Sequence, residues 1–156
     1  MFEIKEIFNT DEKSNISNTI LRALPNWFGI ESSIVDYVKQ VQTMPFYAYF
    51  DCNKPIGFVA IKIHNTYTAE VMVMGILKEY HRQGIGKILM KYCDKYCIDN
   101  GFEFLTVKTL DETRKNNDYR KTRLFYQSVG FKPLEVFPLL WGKENPCLFM
   151  AKSFIK

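Results

Sequence analysis

Apolar residues recur at a period of two in some stretches of the chain and at the helical period in others, in a regular order. Strand patterns cover residues 1–8, 46–50, 56–63, 69–77, 102–110, 131–137 and 147–154. Helical patterns cover residues 14–24, 31–42, 84–100 and 119–129. Hairpins beside a strand–helix–strand crossover predict a mixed α/β fold. We expect three layers: a mixed, mostly antiparallel sheet of about seven strands, with about four helices on both faces.

The most informative stretch joins a strand to a helix. Residues 69–77 are nearly all apolar on both alternating faces, which is typical of a strand buried on both sides of a sheet. From Ile85 the next segment carries apolar residues at helical spacing, and Gly101 follows as its C-terminal glycine. Free N–H groups and the dipole at the helix start favour an anion in the glycine-bearing loop between them.

Two nucleotide-binding motifs fail on spacing in this loop. The P-loop requires a glycine where His81 stands and a serine or threonine where Ile88 stands. The dinucleotide fingerprint requires a third glycine where Leu89 stands. By itself the loop is as compatible with an ordinary strand–helix turn as with a phosphate site.

Composition supports one self-sufficient domain. The 156 residues are 47% apolar, enough for a core without disulfides or structural metal. The four cysteines show no disulfide framework and no zinc spacing, so we expect all of them in the core: Cys52, Cys93, Cys97 and Cys147. Ser17 and Ser32 are candidates for the caps or first turns of the first two helices. The N-terminal segment has no signal-peptide pattern, so we expect a soluble, cytoplasmic protein.

The net charge of +4 is unevenly distributed. Residues 78–91 carry +3, residues 108–123 carry another +3, and the rest of the chain carries −2. This pattern favours a localised anionic ligand over nucleic acid, whose partners are usually far more basic. The alternative for each segment is an ordinary solvated helix face.

Two motifs resemble those of a known family. The sequence HRQGIG, residues 81–86, resembles the pyrophosphate loop Q/R-x-x-G-x-G/A of the GNAT N-acetyltransferases. The sequence LFYQSVGF, residues 124–131, resembles the family's second signature, an aromatic pair followed by x-x-x-G-F. The predicted element order is also the family's order, so the resemblance covers nearly the whole chain, residues 1–156, as a single acetyltransferase domain.

The resemblance implies acetyl-CoA as cosubstrate, without a metal, bound where the sheet splays apart. By that resemblance the residues that bind it are Ile76, Leu77, His81, Arg82, Gln83, Gly84, Ile85, Gly86 and Lys87. The chain departs from the family at two positions. His81 replaces a glutamine or arginine, and Tyr119 replaces an asparagine that often stands seven residues before the signature tyrosine.

The resemblance also implies catalytic residues. Tyr126 matches the general acid that protonates the departing CoA thiolate, which a tyrosine hydroxyl suits at neutral pH. Glu70 resembles the glutamate that serves as base in protein-acetylating members. The alternatives are that Tyr126 only packs and that Glu70 is a strand-entry carboxylate in solvent. Glu79 and His64 are weaker candidates for the base.

The predicted reaction is direct attack of a primary amine on acetyl-CoA in a ternary complex. An acyl-enzyme is disfavoured because Cys93 and Cys97 face the helix core by periodicity. The acceptor is a small-molecule or protein amine, with no nucleic acid or membrane as partner and a homodimer left open. Aromatic segments that could border the acceptor are Trp27, Phe28 and residues 139–146. The competing interpretations are a non-catalytic acyl-CoA-binding module and nucleic-acid binding through the basic stretch.

Overall fold

The computed structural model describes all residues, 1–156, and contains seven strands and four helices. The strands are β1 (Phe2–Glu6), β2 (Phe46–Asp51), β3 (Lys54–Ile63), β4 (Thr68–Ile76), β5 (Phe104–Leu110), β6 (Lys132–Phe137) and β7 (Cys147–Ser153). The helices are α1 (Thr10–Arg22), α2 (Glu31–Gln40), α3 (Ile85–Asp99) and α4 (Asn117–Ser128). The predicted number and order of elements are confirmed.

All seven strands form one sheet, in the order β1-β2-β3-β4-β5-β7-β6. Every neighbouring pair is antiparallel except β4 and β5, which are parallel. The crossover between β4 and β5 contains α3, as the helical period predicted. The predicted mixed and mostly antiparallel sheet is therefore confirmed.

Helices cover both faces of the sheet. Gly75 and Ile76 are consecutive on β4 and face opposite sides. A Cβ built on Gly75 would lie 3.1 Å from Ile20 of α1. Gly57, the register partner of Ile76, would place a Cβ 3.5 Å from Leu89 of α3. The helices α1 and α3 therefore lie on opposite faces, which gives the predicted three layers.

The strands β4 and β5 stay together over a short distance only. Their register covers Thr68 opposite Phe104, Ala69 opposite Leu105 and Glu70 opposite Thr106, and no further pair forms. From residue 71 to the end of β4, the edge that faces β5 has no strand partner. Because both strands continue past this point, a split opens inside the sheet.

Three local expectations were wrong. The helix α1 begins at Thr10 and not at residue 14, because Asn9 caps it by accepting a hydrogen bond from the N–H of Glu12 at 2.9 Å. Ser17 is buried in the middle of that helix and caps nothing. Cys52 is exposed, and it occupies the left-handed turn between β2 and β3 at a φ of 48°. The other three cysteines are buried, as expected.

None of the four helices combines the length and the apolar character that crossing a bilayer would require.

Candidate active site

The split between β4 and β5 opens into a cleft of about 960 Å³. Its floor is the strand face that carries Met72, Met74 and Ile76, which are half-buried and line the cleft. Its walls come from the start of α3, from α4 and from the loop after α1. A concave site of this size, mostly apolar with a few convergent polar groups, is typical of a cofactor or substrate pocket.

Hydrogen bonding along β4 determines which backbone groups face the cleft. The N–H of Leu77 donates to the carbonyl oxygen of Ile56 at 2.9 Å, so that group points toward β3. Alternation along the strand directs the peptide groups of Ile76 the other way, toward the open edge. The Ile76 carbonyl accepts a hydrogen bond from Nε2 of His81 at 2.6 Å. Of the two strand-end residues predicted to bind the cofactor, Ile76 lines the cleft and Leu77 does not.

The loop that follows presents a series of free amides. None of the backbone N–H groups of residues 82–87 donates to any group of the chain. The N-cap of α3, Gly84, has a φ of 78° and supplies no side-chain cap. A Cβ on Gly84 would meet nothing within 4 Å, so the space beside these amides is open. Unpaired N–H groups at a helix start, beside open space, form a site for a phosphate-type anion.

The side chains of this loop divide between the cleft and the surface. Arg82 has a φ of 64°, an uncommon left-handed conformation for a residue with a Cβ, and lines the cleft with Lys87. Gln83 does not line it and instead donates from Nε2 to the Glu79 carbonyl at 3.3 Å. The remaining predicted loop residues that line the cleft are His81, Gly84, Ile85 and Gly86.

Positive charge is concentrated around the cleft. Its lining includes Lys62, Lys78, Arg82, Lys87, Lys108 and Lys121 against the two carboxylates Glu70 and Asp118. This excess equals the net charge of the whole chain, +4. The basic segment 108–123 is only partly available to an anion, because Arg114 and Arg123 donate to backbone carbonyls, those of Glu144 and Leu110.

Tyr126 lies in the wall formed by α4. Its side chain is 9% exposed, lines the cleft and makes no hydrogen bond to the chain. Its ring packs against Phe125 and Phe131, with centroids 5.5 Å away in both cases. Burial raises the pKa of the Tyr126 hydroxyl above its ordinary value, with a further contribution from Tyr119. The hydroxyl therefore keeps its proton throughout the physiological pH range.

Glu70 forms a buried charge cluster, so the alternative of a solvated strand-entry carboxylate is wrong. Only 4% of the residue is exposed. One carboxylate oxygen lies 2.7 Å from Nε2 of His64, and the other lies 3.0 Å from Nζ of Lys108. Register pairing also sets Lys62 directly opposite Glu70 across β3 and β4. The role of Lys108 as a partner of Glu70 was not predicted, because the sequence separation of 38 residues gives no signal.

The loop after α1 closes one side of the cleft. Trp27 donates from Nε1 to Oγ1 of Thr122 at 3.2 Å, and its carbonyl accepts from the hydroxyl of Tyr119 at 2.9 Å. The Trp27 ring also meets the His81 ring edge-on, with centroids 5.6 Å apart. The two departures from the family pattern, His81 and Tyr119, therefore both contact Trp27. No motif or spacing in the sequence indicated this connection.

A model of the acetyltransferase (GNAT) domain matches residues 42–133. This span is more than half of the chain, and it contains β4, the amide loop, α3 and α4. The chain belongs to the GNAT acetyltransferase family. Comparison with curated protein sequences finds no significant match.

Solved structures share the GNAT fold of this chain. An aminoglycoside 6'-N-acetyltransferase complexed with coenzyme A superposes with a TM-score of 0.79 at 19% identity, covering 99% of this chain and 98% of that one. The Enterococcus faecium aminoglycoside 6'-N-acetyltransferase superposes with a TM-score of 0.77 at 21% identity, covering 99% of this chain and 98% of that one. The Escherichia coli ribosomal-protein-S18-alanine N-acetyltransferase superposes with a TM-score of 0.76 at 17% identity, covering 100% of this chain and 96% of that one. These likenesses establish the predicted GNAT-type fold along the full chain.

The structure contains no cluster of three or more His, Cys, Asp or Glu side chains that could hold a metal ion.

Proposed function

We propose that the chain is a single-domain acetyltransferase, residues 1–156, that moves acetyl from acetyl-CoA to a primary amine. The observation that carries the proposal is the open edge of β4, which leads directly into the free amides of residues 82–87. An extended pantetheine arm pairs with a strand edge as a peptide would, and a pyrophosphate accepts hydrogen bonds from a helix start. The residues present therefore fit acetyl-CoA, whose thioester supplies an activated acetyl group.

The proposed cofactor residues have separate tasks. The amides of residues 82–87 hold the pyrophosphate, and the side chains of Arg82 and Lys87 add positive charge beside it. Ile76 presents its N–H to the pantetheine arm, since its carbonyl already accepts from His81. His81 fixes the strand end through the Ile76 carbonyl and lies in the position where the family has a glutamine or arginine.

Tyr126 is the proposed general acid. Its hydroxyl lines the cleft, has no partner within the chain and retains its proton because burial raises its pKa. Such a group can protonate the CoA thiolate as the C–S bond breaks. Glu70 and the side chains paired with it remove the proton from the amine. The buried Cys93 and Cys97 are unsuited to an acyl-enzyme, because burial raises the pKa of both thiols, that of Cys97 to about 12. The reaction is therefore direct attack in a ternary complex.

Two experiments test the proposal in sequence. Isothermal titration calorimetry measures acetyl-CoA binding to the full chain, and we expect saturable one-to-one binding that weakens with added salt. A panel of tyramine, spermidine, kanamycin and a peptide with a free N-terminus is then assayed for release of free thiol and for acetylated product by mass spectrometry. Binding with no product on any amine would favour a non-catalytic acyl-CoA-binding module. Absence of acetyl-CoA binding would overturn the proposal.

A further inference from the structure

The pairing of Glu70 with His64 leaves the imidazole more exposed than the carboxylate. Both carboxylate oxygens are engaged, one by Nε2 of His64 at 2.7 Å and the other by Nζ of Lys108 at 3.0 Å. Both residues line the cleft, but the Glu70 side chain is 5% exposed and that of His64 is 34% exposed. The imidazole therefore offers an entering amine more accessible surface than the carboxylate does.

The hydrogen bond also determines which ring nitrogen is free. An ionised carboxylate can only accept, so Nε2 of His64 carries the hydrogen and donates it to Glu70. The other nitrogen, Nδ1, then holds a lone pair, and it has no hydrogen-bond partner in the chain. A neutral imidazole held in one tautomer by a carboxylate is the arrangement that makes histidine a general base.

The backbone turn holds His64 at a fixed place. Its N–H donates to the carbonyl of Thr68 at 3.0 Å, across the turn between β3 and β4. The side chain of Asn65 closes the same turn by accepting from the N–H groups of Tyr67 at 2.8 Å and Thr68 at 2.9 Å. The ring is therefore fixed at two points, by its backbone and by Glu70.

We propose that Nδ1 of His64 accepts the proton of the attacking amine and that Glu70 is a positioning residue that holds the ring. This inference rests on the acetyltransferase function proposed above. It assigns the proton transfer to a residue that neither GNAT motif of this chain contains. It also explains why Glu70 is buried and paired although its charge lies beside a substrate cleft.

The charged and titratable groups around His64 and Glu70 come from five elements. Glu70 on β4 faces it directly, with Lys108 of β5 behind that carboxylate and Lys62 of β3 opposite it. Tyr37 of α2 and Cys147 of β7 also feel the Glu70 charge. Burial chiefly, and then Glu70, raises the pKa of Tyr37. Burial raises the pKa of Cys147 to about 11, so both groups are neutral near pH 7. None of these side chains occupies Nδ1 of His64, which stays free to accept a proton.

The proton balance of the step is complete. The ammonium group of the acceptor gives one proton to Nδ1 of His64, and the free amine forms a C–N bond to the thioester carbonyl carbon. The C–S bond breaks, and the thiolate takes the proton of Tyr126. The second proton lost by the nitrogen restores Tyr126 through solvent, and the imidazolium of His64 releases its proton to solvent. The products are the amide, the CoA thiol and one proton.

Kinetics of His64→Gln and Glu70→Gln distinguish the two candidate bases. With the panel amine that the parent turns over fastest, we expect His64→Gln to lower kcat/KM about 10²-fold at pH 7. The acid limb of its pH profile should disappear, because the group that must be free of a proton to act as the base is gone. Glu70→Gln should lower kcat with little change in KM and keep that limb, because the imidazole is still present but is no longer held by the carboxylate. The matched control Thr66→Ala, an exposed residue in the same turn, should match the parent.

The opposite pattern overturns the inference. A Glu70→Gln variant without an acid limb, beside a His64→Gln variant that keeps it, would make Glu70 the base. Calorimetry with acetyl-CoA separates this result from failure of the proposed function, because a parent chain that does not bind acetyl-CoA refutes the function itself. Nitrogen-15 NMR adds a test without any acceptor, since the chain has only two histidines. A neutral His64 ring that carries its hydrogen on Nδ1 would also overturn the inference.

Discussion

Gly86 in the first turn of α3 lies directly against the ring of Phe125 in α4. A Cβ built on Gly86 would approach Cε1 of that ring to 2.9 Å, closer than side chains tolerate. Phe125 in turn packs on Tyr126, with ring centroids 5.5 Å apart. The two motifs that reveal the family are therefore in contact, and the amide loop and the proposed acid are positioned by the same packing.

Substitution of Gly86 by alanine should disturb both motifs together. The added methyl forces the Phe125 ring away, and overpacking of this kind costs about 1–3 kcal/mol of stability. Because Tyr126 packs against the Phe125 ring, displacement of that ring should also displace Tyr126 and lower kcat. Thermal unfolding and steady-state kinetics measure the two effects. The double variant Gly86→Ala with Phe125→Leu removes the contact and should regain stability. A Gly86→Ala protein as stable and active as the parent would contradict this packing.

Substitution of two glycines by alanine distinguishes the effect of backbone strain on stability from the effect on ligand binding. Gly84 and Gly101 flank α3 with φ values of 78° and 76°, and a Cβ on either would meet nothing within 4 Å. Alanine at either position should therefore destabilise the protein by a similar amount, about 1–2 kcal/mol for a left-handed non-glycine residue. Only Gly84→Ala should also weaken acetyl-CoA binding, because only Gly84 lies beside the free amides. Equal effects of both variants on the acetyl-CoA Kd would argue against a phosphate site there.

Neutralising the loop cations should weaken acetyl-CoA binding. Asparagine is the suitable replacement for Arg82, because it tolerates the left-handed backbone at that position. Arg82→Asn and Lys87→Gln should each raise the Kd severalfold and make it less sensitive to salt, since fewer charges meet the phosphates. Lys91→Gln, on an exposed position of the same helix outside the cleft, is the control. If the acetyl-CoA Kd of the parent and of all three variants depended on salt in the same way, Arg82 and Lys87 would be excluded from the phosphate site.

Removing the hydroxyl of Tyr126 should lower the rate without loosening the cofactor. General acid catalysis typically contributes 10²–10⁴-fold, so we expect Tyr126→Phe to lower kcat by at least about 10²-fold with an unchanged acetyl-CoA Kd. Because burial raises the pKa of this hydroxyl, its loss of a proton should reduce kcat only above about pH 10. Tyr92→Phe, on the half-exposed side of α3 outside the cleft, should match the parent. An unchanged kcat for Tyr126→Phe would remove it from the reaction.

The sequence predicted the fold well because its signals are local. Strand alternation, the helical period from Ile85 and the terminal glycine Gly101 are each readable within a few residues. The start of α1 was predicted four residues late, because the polar first turn after Asn9 carries no apolar period. Cys52 was misplaced because composition favours burial of cysteine, whereas a two-residue hairpin turn fixed its exposure.

The site was predicted less completely because its geometry depends on distant contacts. The amide loop follows from glycine spacing, and its residues line the cleft almost as expected. The partners of Glu70 come from the β3–β4 turn and from β5, and the contacts of Trp27 with Thr122 and Tyr119 span more than 90 residues. No spacing rule reports such pairs. Leu77 lies outside the cleft because its N–H donates to Ile56 of β3, and the sequence does not report which edge of β4 pairs with β3.

The most direct test of the account is an amide NMR titration of the uniformly nitrogen-15-labelled chain with coenzyme A. We expect the largest shift changes at the N–H groups of residues 82–87, because these amides have no partner in the chain and would gain a phosphate. Smaller changes should follow the open edge of β4, with little change on β1 or β6. Saturating binding of coenzyme A that leaves the amide shifts of residues 82–87 unchanged would contradict the account, as would the absence of any binding.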